Sequence, residues 1–377
     1  MRNVAIVTHK YLPQPDDDLV YYLNKNRGYD IYHIKHNFPD AKDRQSVLDI
    51  YLHGKKIREL KTLDYIFLPE ILIFLKELFF TIKWILLSNK KYDLYIGMDG
   101  LCTFFGLILR RLGFAKKVIY WSIDFVPFNR FNSRWKNFFY HKINTLACKN
   151  ADEVWDLSPR MAGGRKKYLD INKNDYKLYK VVPYGVWTSR IKIISYSQCE
   201  KHTLVFMGHL MSKQGVDLVI KKIAKIVKKI PDFKFKIIGG GDYKEDLINL
   251  TRKLSVNEYC QFLGRLDSVR LEEEIARSAV AIAPYLKSKH SYTYYADPGK
   301  IKTYLACGVP VLLTDLPWNA KEVQQKRCGL IIKDGGSDLI EKLSKMMKPS
   351  INKEFRKNTI EYSRDYDYKK IFSKLEL

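Results

Sequence analysis

The sequence has no run of about 18 uninterrupted apolar residues, the length that a membrane-spanning helix needs. Its most apolar stretch, residues 65–87, is interrupted by Pro69, Glu70, Lys76, Glu77 and Lys83. After Pro69 this stretch is expected to form a helix in which apolar side chains cover most of the circumference. We therefore expect a buried core helix there, with a helix lying at a membrane interface as the alternative.

Cysteine pairs with metal-binding or redox spacing are also missing. The six cysteines are Cys102, Cys148, Cys199, Cys260, Cys307 and Cys328. Their scatter favours reduced, mostly buried thiols in a cytosolic protein over a disulfide framework or a zinc site. The first residues read as a short apolar strand and lack the longer apolar core of a signal peptide. We expect a cytoplasmic protein.

Internal repeats are lacking, and the 20 glycines and 13 prolines are modest in number, which argues against collagen-like and solenoid architectures. The 377 residues suit two domains of roughly 150–200 residues each. Short apolar strands alternate with helical stretches along both halves, which predicts parallel βαβ units with helices on both faces of each sheet. The predicted fold class is α/β, with two Rossmann-like, doubly wound domains facing a central cleft. We place the domains at 1–186 and 202–355, a linker at 187–201, and a terminal helix, packing back toward the first domain, within 356–377.

Acidic residues are scarce: 41 stand against 66 basic ones, and the net charge is +25. Residues 1–190 hold 32 basic and 19 acidic residues, so the excess is spread over both halves and no single basic arm is present. Such a chain suits attraction to an anionic membrane surface or to phosphate-bearing substrates. A lysine-rich composition that only keeps the protein in solution is the alternative, and charge alone leaves nucleic acid open.

Four segments of the second half, in this order, resemble glycosyltransferase family 4: residues 205–217, 237–242, 262–265 and 298–311. In the first half, residues 152–160 resemble the strand and serine-bearing turn of that family. The resemblance implies a GT-B fold, with a nucleotide-sugar donor on the second domain and an acceptor on the first.

Glycines carry the donor-site prediction. Gly208 and Gly215 flank a strand-to-helix turn whose backbone amides suit a diphosphate. Gly240 and Gly241 belong to a glycine triplet that lets backbones approach closely, and Arg265 ends the third matching segment. An ordinary strand-to-helix connection is the alternative for each turn taken alone.

The sequence departs from the family pattern at its charged positions. His209 and Gln214 stand where the family has cations, with Lys213 one position early. Tyr295 and Thr303 stand where the family has two glutamates. The resemblance makes His209, Lys213, Tyr295 and Thr303 donor-binding candidates, although the altered positions put donor identity and activity in question.

Two charged residues near this segment are catalytic candidates. Asp297 is expected to contact sugar hydroxyls, and Lys300 to reach a phosphate from the start of a helix. Residues 287–297 are polar and rich in aromatics, which favours a donor-site loop. The alternative is a solvated loop with Lys300 facing water.

The first domain offers further carboxylates. Asp124 follows a predicted strand and is the expected catalytic carboxylate of the acceptor side, with a turn or helix cap as the alternative. Asp16, Asp17 and Asp18 are candidates for binding acceptor hydroxyls, and helix N-capping is the simpler explanation. We expect neither a metal nor a separate cofactor.

Residues 125–142 interleave aromatics with four cations: Arg130, Arg134, Lys136 and Lys142. Such a stretch suits a lipid headgroup layer, and it also suits stacking on single-stranded bases or packing of an amphipathic helix on its own domain. Lipid-linked acceptors are common in the resembling family, which favours the membrane.

The resemblance implies a retaining glycosyltransferase that uses a nucleotide-diphosphate sugar, with a UDP-sugar expected first. The acceptor would be a glycan or lipid-linked hydroxyl in cell-surface polysaccharide or glycoconjugate synthesis, reached at the inner face of the membrane. Two alternatives remain open. One is a DNA-modifying glycosyltransferase, which the even charge distribution disfavours, and the other is an inactive sugar-nucleotide-binding partner protein.

Overall fold

The structure is a computed structural model that describes residues 1–10, 14–37, 45–64, 69–287 and 292–377. The chain forms two compact units. Unit 1 comprises residues 1–183 and 372–377, and unit 2 comprises residues 184–371. Residues 187–201, predicted as a linker, lie within unit 2 and include two short 3-10 turns, Thr188–Arg190 and Tyr196–Gln198.

Unit 1 is built on an eight-stranded sheet with the order β4-β3-β2-β1-β5-β6-β7-β8. Its strands are β1 (Arg2–Lys10), β2 (Tyr29–Asn37), β3 (Ser46–Leu52), β4 (Lys55–Lys61), β5 (Tyr92–Gly97), β6 (Ala115–Ser122), β7 (Glu153–Asp156) and β8 (Tyr179–Val181). Its helices are α1 (Pro15–Lys25), α2 (Glu70–Leu87), α3 (Gly100–Arg111), α4 (Arg134–Asn150) and α5 (Pro159–Leu169). The central strand β1 is buried from Val4 to Thr8, as expected for a parallel strand covered on both faces.

Unit 2 contains a six-stranded, wholly parallel sheet with the order β11-β10-β9-β12-β13-β14. Its strands are β9 (Glu200–Met207), β10 (Lys234–Ile238), β11 (Cys260–Gly264), β12 (Ser278–Ala283), β13 (Val311–Thr314) and β14 (Gly329–Ile332). Its helices are α6 (Val216–Ile220), α7 (Ile223–Val227), α8 (Lys244–Lys253), α9 (Ser268–Arg277), α10 (Gly299–Ala306), α11 (Ala320–Gln325), α12 (Leu339–Met347) and α13 (Pro349–Ser363), and α14 (Tyr368–Ser373) then leads into the last residues of unit 1.

Both sheets are doubly wound, and in each the strand order reverses direction once. In unit 1 the reversal lies between β1 and β5, and in unit 2 it lies between β9 and β12. Ligands of such sheets bind outside the carboxyl ends of the strands at the reversal point. These two edges are therefore where each unit is expected to bind its ligand.

The last six residues return to unit 1. The ring of Phe372 lies 5.4 Å from that of Tyr22 and 6.3 Å from that of Trp121. The hydroxyl of Tyr29 donates a hydrogen bond to the backbone oxygen of Leu377 over 3.0 Å. This segment thus completes the core of unit 1.

Several sequence predictions need correction. The predicted alternation of parallel strands and helices did not include β3 and β4, which form antiparallel pairs next to β2. The helix expected after Pro69 runs from Glu70 to Leu87, and residues 65–68 of the apolar stretch lie outside the described residues. It is not a buried core helix, because five apolar side chains are exposed on it: Leu72, Leu75, Phe79, Leu86 and Leu87. Even so, no helix in the described part of the chain has the length and apolar character to cross a bilayer.

Candidate functional site

Glycine turns at the carboxyl ends of β9 and β10 bring two backbones into contact. A Cβ on Gly239 would lie 2.0 Å from the carbonyl oxygen of Gly208, and one on Gly241 would lie 2.4 Å from that of Leu210. The amide of Gly208 donates to Ile238, and that of Leu210 donates to Gly240, each over 2.9 Å. Glycine is required here because any side chain would push the two turns apart.

A third loop, which follows β12, contacts the turn after β9 at the reversal point. Gly215 has φ +71°, and a Cβ on it would lie 2.0 Å from the carbonyl oxygen of Pro284, just after β12. The amide of Leu286 donates to the backbone oxygen of Lys213 over 3.1 Å. We call residues 208–215, 239–241 and 284–286 the glycine cradle. It lies at the edge where the sheet of unit 2 is expected to bind its ligand.

Lys300 enters the glycine cradle from the first turn of α10. Its Nζ donates to Oε1 of Gln214 over 2.7 Å and lies 4.2 Å from the ring centre of Phe206 and 5.0 Å from that of Tyr285. A Cβ on Gly208 would lie 2.8 Å from this Nζ. Burial beside these neutral groups lowers the pKa of Lys300 to about 7. The result is a weakly solvated amine at the glycine turn, which suits a phosphate oxygen.

Asp297 is not placed as predicted. The residue is 2% exposed, and its Oδ1 accepts from Nζ of Lys302 and from Nε1 of Trp318, the latter over 2.7 Å. Its Oδ2 accepts from the amide of Tyr184 over 2.7 Å. Since Lys302 is also fully buried, the pair is a buried ion pair that fixes the start of α10. The geometry gives Asp297 a role in positioning Lys300 rather than in touching a sugar.

The remaining donor candidates lie at different depths. His209 is exposed on the first turn of the glycine cradle, and burial lowers the pKa of the half-buried Lys213. Arg265 is exposed and extends over Gly240, where a Cβ would lie 3.3 Å from its Nε. These residues therefore surround the same turns as Lys300.

Tyr295 and Thr303, the two positions without the expected glutamates, differ from each other. Tyr295 is 8% exposed and packs edge-to-face on Tyr294, with ring centres 5.1 Å apart. Thr303 is half-buried on α10, one turn after Lys300. Residues 288–291 of the predicted donor-site loop lie outside the described residues.

Sequence reasoning missed two residues that hold the site together. Gln214 accepts the hydrogen bond from Lys300, and the hydroxyl of Tyr304 accepts from the amide of Met207 at the end of β9 over 2.7 Å. Gln214 was noted only as a lost cation. The amine that the family pattern places at position 214 comes here from Lys300 on α10, which hydrogen-bonds Gln214.

Asp124 lies just after β6, and its side chain is 49% exposed. Its Oδ2 accepts from Nη1 of Arg130 over 2.7 Å. The carboxylate is thus accessible at the carboxyl edge of the sheet, but one strand away from the reversal point.

The three adjacent aspartates do not cap a helix. The N-cap of α1 is Gln14, and the aspartates lie inside its first turn, where the helix dipole favours negative charge. Asp16 is fully buried and accepts from Nε2 of His33 at 2.7 Å. Asp17 pairs with Lys10, and Asp18 is half-buried. The burial of Asp16 is a poor fit to an acceptor-binding role.

An unpredicted cluster lies at the reversal point of unit 1. Nδ1 of His9, at the end of β1, is 2.6 Å from Oδ2 of Asp99, which follows β5, and its Nε2 is 3.0 Å from Oε2 of Glu77. Burial alone would lower the pKa of His9, but the carboxylates of Asp99 and Glu77 raise it well above its usual value. The two carboxylates thus favour the charged form of His9. The available signal was that both His9 and Asp99 sit where an apolar strand ends.

Metal-ligand geometry occurs twice among the described residues. One group is His9, Asp99 and Cys102, and the other is Asp16, Asp17 and His33. In each group the histidine already hydrogen-bonds a carboxylate. Metal independence stays a prediction.

A known protein family matches this chain within unit 2. The family described as glycosyl transferases group 1 matches residues 190–366. Over 73 residues the chain is 34% identical to an uncharacterized glycosyltransferase of Haemophilus influenzae, covering 19% of this chain and 21% of that protein. Over 120 residues it is 27% identical to a GDP-mannose-dependent alpha-(1-6)-phosphatidylinositol monomannoside mannosyltransferase of Mycolicibacterium smegmatis, covering 31% of each. The chain thus matches between about a fifth and a third of the length of these relatives.

Solved structures match over the whole chain. Sucrose-phosphate synthase from Thermosynechococcus elongatus superposes with a TM-score of 0.73 at 16% identity, covering 99% of this chain and 97% of that one. The Anabaena protein HepE in complex with UDP superposes with a TM-score of 0.69 at 13% identity, covering 99% and 98%. These similarities confirm the GT-B fold.

Proposed function

We propose that the protein transfers a sugar from a nucleotide-diphosphate sugar to a hydroxyl acceptor, because residues 190–366 match the family described as glycosyl transferases group 1 and the chain has the GT-B fold. The observation that carries this proposal is Lys300, whose Nζ lies at the Gly208 turn. Cations and backbone amides aimed at a departing diphosphate stabilise the charge that develops on it. The glycine cradle and Lys300 provide both kinds of group at the expected edge of the sheet.

Each group has a distinct part in this chemistry. The glycine turns let the diphosphate approach the backbone, and Lys300 neutralises the oxygens that become free when the sugar leaves. Lys213 and Arg265, on neighbouring turns, add positive charge. Retention of the anomeric configuration is expected, with the acceptor attacking on the face that the diphosphate leaves. UDP is the first donor nucleotide to test, because HepE was solved with UDP, and GDP is the second, because the Mycolicibacterium relative uses GDP-mannose.

The acceptor is proposed to bind at the carboxyl edge of the unit 1 sheet. Asp99 and Asp124 place carboxylates there, and both are partly accessible. Burial opposes ionisation of Asp99, but the adjacent His9 imidazolium lowers its pKa, so it accepts hydrogen bonds from hydroxyls better than it removes their protons. The proposed acceptor is a glycan or a lipid-linked saccharide of the cell surface. The Mycolicibacterium relative is named for a phosphatidylinositol acceptor, and a position at the inner membrane face follows from the same proposal.

Thermal unfolding with UDP, GDP, ADP and CMP tests the donor site. A ligand at a hundred times its dissociation constant stabilises the state that binds it by about 2.7 kcal/mol. We expect one nucleoside diphosphate to raise the unfolding temperature and CMP, which has a single phosphate, to leave it unchanged. No shift with any diphosphate or its sugar derivatives would contradict the proposal.

Nucleotide affinity should fall as the pH rises from 7 to 9. Lys300, with a pKa of about 7, loses its charge over this range before binding, and the diphosphate favours its charged form. The charge of UDP itself is nearly constant there, because its last phosphate ionisation is near pH 6. Binding at pH 8 must therefore take up a proton at Lys300. Calorimetry in two buffers of different ionisation enthalpy measures this uptake, which should disappear in Lys300→Gln; equal uptake in that variant would assign the proton elsewhere.

A further inference from the structure

Helix α2 presents an apolar face to solvent. Leu72, Leu75, Phe79 and Leu86 are 44%, 50%, 58% and 42% exposed, and their spacing places them along one side of the helix. The opposite side is fixed in the core of unit 1 through side chains such as Trp84, which is 6% exposed. The exposed stripe is therefore held in place by the fold and is not a frayed end.

Helix α4 repeats the pattern. Trp135, Phe138, Phe139 and Leu146 are 74%, 57%, 58% and 38% exposed and lie along one side. On the other side Asn144 is buried and hydrogen-bonds the hydroxyl of Tyr120. Large aromatics on a soluble surface are usually covered by a partner or by lipid, above all when they are contiguous.

The two helices belong to one layer of unit 1. The ring of Phe74 on α2 lies 5.8 Å from that of Phe105 on α3, and a Cβ on Gly100 of α3 would lie 3.0 Å from Asn144 of α4. Helix α3 thus lies between them on the same face of the sheet, and both exposed sides face away from that sheet. We call the exposed apolar side chains of this layer the apolar helix face: Leu72, Leu75, Phe79, Leu86, Leu87, Trp135, Phe138, Phe139 and Leu146.

Charge on this layer has a single sign. Among the side chains that the structure describes as exposed on α2 and α4, the charged ones are Lys83, Arg134, Lys136, Lys142 and Lys149. The one described carboxylate of the two helices, Glu77, is buried against His9. Apolar and aromatic side chains interleaved with lysine and arginine are the pattern of helices that lie in a headgroup layer.

We propose that the apolar helix face docks on an anionic lipid bilayer, with α2 and α4 lying in the plane of the interface. A second copy of this chain fits poorly, because a two-fold contact of this face would set the same cations against each other. An anionic bilayer satisfies both the apolar and the cationic side chains at once. The inference rests on the membrane location proposed above. It adds α2 to the membrane-binding surface, beside the aromatic and basic residues of α4.

Vesicle co-sedimentation of the full chain tests the docking. The probes are vesicles of equal parts phosphatidylglycerol and phosphatidylcholine, and vesicles of phosphatidylcholine alone. We expect binding to the anionic vesicles to exceed that to the neutral ones and to weaken with salt. The variants Leu75→Ser/Phe79→Ser on α2 and Phe138→Ser/Phe139→Ser on α4 should each weaken binding about tenfold or more.

Matched controls separate the face from general apolar exposure. Val269→Ser and Leu254→Ser remove apolar side chains that are 64% and 39% exposed on unit 2, and both should bind vesicles like the unmodified protein. Stabilisation by UDP should be unchanged in all the variants. If vesicle binding occurs without any nucleotide effect, the proposed function fails while the docking stands.

Three results would overturn the inference. The unmodified chain could fail to bind anionic vesicles, or the helix variants could bind as well as their controls. Alternatively, sedimentation without lipid could show a dimer or a bound acidic protein that the helix variants lose. That last result would assign the apolar helix face to a protein partner.

Discussion

Replacing Lys300 with methionine is expected to lower turnover about a hundredfold, the effect of removing one preorganised group that stabilises a developing anion. Methionine keeps the length and apolar packing of the side chain over Phe206 and Tyr285 and removes only the amine. The loss should appear mainly in kcat, since the amine interacts most strongly with the diphosphate as it departs. Initial rates with the nucleotide sugar identified by thermal unfolding measure it.

Lys321→Met is the matched control for this variant. Lys321 is an exposed lysine of α11 in the same unit, so Lys321→Met makes the same side-chain replacement without touching the glycine cradle. We expect its turnover to be unchanged. Equal turnover in Lys300→Met and the unmodified enzyme would remove Lys300 from the catalytic machinery.

Asp297→Ala is expected to destabilise unit 2 by about 3–5 kcal/mol, because it leaves the buried Lys302 ammonium without its partner. The hydrogen bonds from Trp318 and the Tyr184 amide are lost with it. Denaturant unfolding followed by a probe within unit 2 measures the loss. The exposed Asp334 provides the control, since Asp334→Ala should change the stability by less than about 0.5 kcal/mol.

A double variant separates charge from packing. Asp297→Leu/Lys302→Met replaces the buried pair by apolar side chains, which is often neutral or stabilising, so we expect it to recover most of the stability that Asp297→Ala loses. Its nucleotide affinity should be lower than that of the unmodified protein if the pair positions α10 and Lys300. A double variant as unstable as Asp297→Ala would mean that the hydrogen bonds dominate and not the buried charge.

The central strands could be predicted from the sequence because parallel strands covered on both faces read as apolar runs, as in β1 and β12. The antiparallel strand β4 could not, since its residues Lys55–Lys61 are charged and mostly exposed. Helix α13 was also missed, because polar residues lie on its buried face. Its buried face carries Asn352 and Arg356, which hydrogen-bond the backbone oxygens of Ala279 and Ala276, so the apolar period is interrupted.

The candidate site was also predicted only in part from the sequence. Glycine spacing predicted the turns at Gly208 and Gly241, because close backbone contact leaves a trace in the sequence. The partner of Asp297 could not be foreseen, since the choice between Lys300 and Lys302 depends on which side of α10 is buried. The cluster at His9 was missed because its members come from three separate elements.

The return of the last six residues to unit 1 has a consequence for the order of synthesis. Phe372 and Leu377 leave the ribosome only after all of unit 2, yet they pack on Tyr22, Trp121 and Tyr29. The core of unit 1 therefore lacks residues 372–377 while unit 2 is being translated. Chains whose translation stops early lack residues 372–377, so the core of unit 1 stays incomplete in them. Such truncated products should therefore be degraded by proteases faster than the full chain.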